Sequence, residues 1–222
     1  MKNSRKSICC VLTICTLVLV SGNIYAYLRS SSGMTSYGYK ILTNPSTGAR
    51  LQGVARKPIY FQCHAWFDWQ VKSAVHYANL EWNNLGVGAL AYRSSTEHRI
   101  SDIESRKDGI NMVSDWFAGT SSYLAYTTWW VSNNKLTEAD IVFNRNYPWG
   151  YYGEPGRFDV QQVVTHEIGH ALGLDDVYSA AHGHDTMYGY TNAGETYKRI
   201  LHICDQKGIL YLYQGFVGSW YW

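Results

Sequence analysis

The chain has 222 residues, of which 46% are hydrophobic and 16% charged, a balance that excludes a disordered chain and suits one domain with an extension. Its formal charge of +2 comes from the first 26 residues, which hold Lys2, Arg5 and Lys6 and no acidic residue; the remainder carries 16 basic against 17 acidic side chains. No basic stripe exists, so a nucleic-acid partner is not expected.

Lys2, Arg5 and Lys6 precede the uncharged run Ile8 to Val20, the pattern of a signal peptide over residues 1–26, with cleavage after Ala26 or, alternatively, Gly22. An uncleaved anchor is the rival reading. The run reaches only about 20 Å as a helix, short of the roughly 30 Å hydrocarbon core, but the uncharged stretch continues to Leu28. Apart from such an anchor, no stable membrane insertion is expected. Three of the five cysteines, Cys9, Cys10 and Cys15, fall in this leader. Cys63 and Cys204 remain, and in an exported chain they are open to two readings, a disulfide or two separate thiols.

Residues 27–57 are rich in Ser, Gly, Thr and Tyr without helical or strand period and read as an N-terminal arm. Pro58 to Ala65 reads as a first strand. Asp68 then caps a helix whose apolar positions Val71, Ala74, Val75, Ala78, Trp82 and Leu85 share one face, ended by Gly86. Short strands are expected at Val87–Tyr92, Ile110–Trp116, Tyr123–Trp130 and Ala139–Phe143, separated by Gly, Ser, Asn and Asp clusters. A Gly/Pro/Tyr loop over residues 144–158 leads to a second helix, with Asp159 as cap and Gln162 in capping-box position, running to about Gly173. A third helix takes much of Glu195–Tyr213. The pattern is that of an α+β domain, one twisted sheet carrying helices.

The second helix carries the chemistry. His166 and His170 lie four residues apart, hence on one face, and can bind one metal ion through imidazole nitrogen. Glu167 stands beside the first ligand, placed to take a proton from a metal-activated water without itself being a ligand. Gly173 can reverse the chain in a left-handed conformation, and Asp176 three residues later can return a carboxylate to the metal. Two His and one carboxylate with an open fourth position is a catalytic zinc set; structural sites are closed and cysteine-rich. His182 and His184 compete for the third place, but the Gly turn favours Asp176. His64, His76, His98 and His202 read as surface or packing residues.

HEIGHALGLDD resembles the zinc motif of the metzincin peptidases, with the Asp in third position similar to the snapalysin-type minority. Asp185-Thr186-Met187-Tyr188 resembles the clan's Met-turn, and its Met-Tyr pair is most similar to matrixins. Glu138–Phe143 resembles the matrixin A-D-I strand; Asp205, Gly208, Ile209, Leu212 and Tyr213 match the C-terminal helix pattern D-x-x-G-I-x-x-L-Y. The resemblance spans about residues 58–214. No cysteine-switch sequence is present. The resemblance implies a metzincin-like catalytic domain over 58–222, with a mostly parallel sheet, a backing helix, an active-site helix and a C-terminal helix. It further implies a secreted zinc metalloendopeptidase, with His166, His170 and Asp176 on one zinc ion and Glu167 as general base toward a zinc-activated water. An extended protein or peptide substrate would pair near Leu124 and Ala125, beside a pocket walled by Tyr188–Thr196. Structural calcium is used by the family, without assignable ligands here. The alternatives are a zinc amidase acting on cell-wall peptides and a non-enzymatic exported binding protein using the aromatic surface, including Tyr147 to Tyr152.

Overall fold

The computed structural model describes residues 38–99, 105–116 and 122–214, together with two paired strands near the N-terminus, β1 (Val18–Val20) and β2 (Asn23–Tyr25). The rest of residues 1–26, expected to be a signal peptide, lies outside the described residues. Among the described residues, no helix is long and apolar enough to cross a membrane.

The core is a five-stranded sheet of β4 (Ile59–Cys63), β5 (Ala91–Arg93), β6 (Asn111–Trp116), β7 (Ala125–Ser132) and β8 (Lys135–Asn144). Its order is β5-β4-β6-β8-β7, parallel throughout except for β7, which runs antiparallel to β8 at one edge. The expected mainly parallel α+β architecture is the one observed. β8 is twice the expected strand, because Asn133 and Asn134 adopt φ of 50° and 59° and close a two-residue hairpin from Ser132 to Lys135. Val87 to Leu90 stays outside β5. Asn83 at the end of the preceding helix bonds the Leu90 and Ala91 amides and the Ala91 carbonyl instead.

That helix, α1 (Trp69–Asn83), is capped by Asp68, which accepts from Val71 N at 2.8 Å. Its buried face of Ala74, Val75, Ala78 and Trp82 follows the expected periodicity. Trp82 is fully buried and donates to the Thr165 carbonyl at 2.9 Å, pinning α1 to the next helix, α2 (Val160–Ala171). Truncating such a residue costs about 3–5 kcal/mol.

α2 is buried along almost its whole length. Asp159 caps it as expected, accepting from Gln162 N at 2.9 Å. Gln162 does not close a capping box. Its side chain instead bonds Thr191 Oγ1 and the Lys198 amide, tying the helix start to a later loop. Short pairs β9 (Trp149–Gly150) and β10 (Phe158–Asp159) bracket the loop before α2. The aromatic residues there serve mainly in packing: Trp149 stands edge-on to Phe143 and Tyr147 to Phe158, while Tyr152 is exposed.

The N-terminal arm is built into the core. Tyr39, Ile41, Leu42 and Leu51 are buried, and β3 (Lys40–Ile41) pairs antiparallel with β11 (Leu174–Asp175) just after α2. The chain closes with α3 (Ile203–Gln214), shorter than expected because Tyr197–Arg199 forms a separate 3-10 turn. Cys63, buried in β4, and Cys204, in the first turn of α3, are both free thiols, so the disulfide reading falls away.

Candidate metal centre

α2 presents His166 and His170 one turn apart, rings 4.7 Å between centroids and nearly perpendicular. Gly169 between them has no room for a side chain: a β-carbon there would lie 2.3 Å from Met187 Sδ and 2.9 Å from Trp82 Cζ2. The helix ends as expected at Gly173, whose φ of 109° lies in the left-handed region. The reversed chain is then caught by the arm. Leu42 N donates to the Gly173 carbonyl, β11 pairs with β3, and Lys40 bridges Asp175 at 2.8 Å. This anchorage delivers Asp176 to the helix face.

The three side chains converge. His170 Nε2 lies 3.0 Å from His166 Nε2, and Asp176 Oδ1 lies 3.0 Å and 3.4 Å from the two. The edge of a tetrahedral zinc site with bonds of about 2.0–2.1 Å is about 3.3 Å. The outer nitrogens fix the protonation: His166 Nδ1 faces the Thr186 carbonyl at 2.7 Å and His170 Nδ1 the Leu174 carbonyl at 2.9 Å. A carbonyl only accepts, so each Nδ1 holds its ring's proton and each Nε2 turns a lone pair inward. Two lone pairs and a carboxylate oxygen meeting in a buried space call for a cation. His166 shows the same demand. Burial works against its charge, yet the hydrogen bond and charge of Asp176, with Glu167 behind, hold it above its ordinary value. The residues present therefore fit a zinc ion.

Neither competing histidine joins this group: His182 bonds Asp185 at 2.8 Å and His184 lies against Tyr197. His64 and His98 pack against each other as a buried pair. The two groups of potential metal ligands among the described residues both contain histidine, and neither is the all-oxygen set that calcium prefers.

Glu167 is fully buried, with Oε2 accepting from Thr127 Oγ1 at 2.6 Å and Oε1 without a hydrogen-bond partner among the described residues. Thr127 Oγ1 also lies 3.1 Å from the Glu167 carbonyl and shares its single proton between the two acceptors, so β7 reaches this residue at both ends. Asp176 Oδ2 accepts from Tyr178 OH at 2.9 Å, which leaves Oδ1 turned to the histidines. Beneath them, Asp205 accepts from Thr186 N, Met187 N and His202 N, all within 3.0 Å. This fixes the turn whose Thr186 carbonyl holds His166. Thr127 and Tyr178 gave no signal in the sequence; Asp205 did, as the first position of the C-terminal helix pattern.

A model of the matrixin family matches residues 66–214, about two thirds of the chain. The chain belongs to the matrixin family. This matrixin is thereby a member of a family of zinc metalloproteases, and its mainly parallel sheet with three long helices is the architecture expected of a metzincin-like catalytic domain. No curated protein sequence matches the chain significantly. Among solved structures it is similar to high choriolytic enzyme 1, a hatching enzyme zinc-protease from the medaka fish Oryzias latipes, at 12% identity and a TM-score of 0.39, over 70% of this chain and 88% of that one.

Proposed function

We propose that this matrixin is an exported endopeptidase that hydrolyses peptide bonds of extended protein substrates, with His166, His170 and Asp176 as zinc ligands and Glu167 as general base. The observation that carries the reading is the convergence of two imidazole nitrogens, whose rings keep their protons on the outer nitrogens, and one Asp176 oxygen, beside a carboxylate with one oxygen held and the other without a hydrogen-bond partner among the described residues. Zinc held by these residues supplies the Lewis acidity that polarises a scissile carbonyl and brings the pKa of water to about 7. Glu167 takes the proton of the attacking water through Oε1 and passes it to the leaving amine nitrogen, while Thr127 keeps the carboxylate from swinging away. Tyr178 holds Asp176 in its ligating rotamer.

Among the described residues β7 is the edge strand of the sheet on the side of α2, so an extended substrate entering near Leu124 and Ala125 can add main-chain hydrogen bonds there. Tyr188 and Tyr190, rings 5.6 Å apart, with Tyr178 against Tyr190, form an aromatic wall in the segment proposed to border the substrate pocket. Membership of a protease family favours peptides over a cell-wall amide substrate or a purely binding role. The basic residues and uncharged run of the leader support export. A peptide-library and casein digest by the purified protein, with and without chelator and beside Glu167→Gln, tests the proposal. Chelator-sensitive cleavage, lost in the variant, is expected; a zinc-loaded protein inert toward every peptide would overturn it.

A further inference from the structure

A second group of metal-ligating side chains stands on the far side of the turn that carries Met187. His182 Nδ1 lies 2.8 Å from Asp185 Oδ2 and 3.6 Å from Cys204 Sγ, and the three donor atoms all lie within 4.8 Å of one another. They come from two separate parts of the chain, the loop after Asp176 and the first turn of α3. Asp185 is almost wholly buried, and its other oxygen is held by His202 Nδ1 at 2.6 Å. A third segment crosses the group: a β-carbon on Gly38 would lie 2.3 Å from His182 Cε1 and 2.8 Å from Cys204 Sγ.

A thiol, an imidazole and a carboxylate also make up hydrolytic triads, but the arrangement here does not work as one. A triad needs both ring nitrogens, one toward the nucleophile and one toward the acid. Here the thiol and the carboxylate approach the same nitrogen, Nδ1 of His182, which can serve only one of them with its single proton. A nitrogen, an oxygen and a sulfur that converge on a point are the donor set of a metal ion. With bonds of about 2.0–2.1 Å to nitrogen and about 2.3 Å to sulfur, a tetrahedral ion sets its N–S edge at about 3.5 Å, close to the observed 3.6 Å. The mixture of soft thiolate with imidazole and carboxylate selects zinc over calcium or magnesium.

We infer that His182, Asp185 and Cys204 form a second zinc site, with His202 orienting the Asp185 carboxylate, distinct from the group on α2. Bound there, the ion ties the loop under the α2 histidines to α3 and to the arm at Gly38.

The test is metal analysis of the purified full chain together with cobalt substitution. Wild type is expected to hold two zinc ions per chain, and Cys204→Ser and Asp176→Ala one each. With cobalt, a thiolate-to-metal charge-transfer band in the near ultraviolet is expected in wild type and Asp176→Ala and absent in Cys204→Ser. This inference stands apart from the proposed active centre, and the same data separate the two. A single zinc lost only in Asp176→Ala, with no thiolate band in wild type, overturns the second site and leaves the first. A single zinc lost only in Cys204→Ser does the reverse. Should Cys204→Ser not fold, the absence or persistence of the band in wild type and Asp176→Ala decides the matter alone.

Discussion

Gly169→Ala puts the packing beneath the α2 histidines to a direct test. Two effects oppose each other. In an exposed helix interior the change would stabilise by about 1 kcal/mol, because glycine is the poorer helix former. Here the new methyl would sit 2.3 Å from Met187 Sδ and 2.9 Å from Trp82 Cζ2, where ordinary contact needs about 3.5–4.0 Å. A flexible thioether could retreat if its backbone were loose. The Met187 amide is held by Asp205 and its carbonyl by Val177 N, and the Trp82 ring is pinned to the Thr165 carbonyl. Overpacking costs about 1–3 kcal/mol, and this rigidity places the cost in the upper half, so the net loss should be about 1–2 kcal/mol. Thermal unfolding should fall by about 2–8 °C for a domain of this size. Any displacement of Met187 moves the neighbouring Thr186 carbonyl, which holds His166. Zinc affinity should therefore weaken by about 10–100-fold, the usual range for outer-shell damage. Denaturant melts and competition with a chromophoric chelator read both quantities. A Gly169→Ala protein as stable as wild type, with unchanged zinc affinity, would refute the reasoning.

Glu167→Gln should lower turnover by about 10²–10⁴-fold, the usual worth of a positioned general base, while zinc content stays at the wild-type level; near-normal cleavage by the metal-loaded variant would remove Glu167 from that role. Tyr178→Phe deletes the hydrogen bond to Asp176 and should weaken zinc binding by about 10–100-fold with little change in melting of the metal-free protein; identical affinity would show that Asp176 needs no such support. Asp205 carries a pH prediction. Burial raises it from 3.8 to about 6 against its three backbone donors, so the folded carboxyl holds its proton more tightly than the unfolded one. Its charge then weighs against the fold at neutral pH, and that cost, about 3 kcal/mol at most, fades as pH falls through 6 toward 3.8. Metal-free wild type should accordingly gain stability relative to Asp205→Asn between pH 7.5 and 5 in urea melts; parallel pH profiles would contradict the assignment.

What the sequence displays of this protein is what short-range rules govern. The α1 face, the Asp68 and Asp159 caps, the four-residue spacing of His166 and His170 and the turn at Gly173 all follow from local periodicity and side-chain capping. The preference for Asp176 over His182 rested on the reach of a chain reversed at Gly173, and the structure groups Asp176, and not His182, with His166 and His170. The invisible parts depend on partners distant in the chain. Thr127 meets Glu167 only because β7 forms the sheet edge beside α2, and no pattern within β7 marks it. The described part of the arm, residues 38–57, lacks a strand period because its pairing is broken into two-residue β3 and single bridges at Thr43–Arg50 and Val54–Leu136. Nothing local marks the neighbours that α3 brings together, Cys204 with His182 and His202 with Asp185.

The pairing of β3 with β11 also bears on the order in which the protein comes to life. Lys40 precedes the whole sheet and Asp175 follows α2, so their union is among the longest loop closures in the domain. Such closures are slow and are rewarded only once the intervening segments have collapsed. Until then a nascent chain can display its two helix histidines but no fixed carboxylate, and a two-donor site holds metal poorly. Metal capture at the α2 histidines is thereby deferred to the last stages of folding.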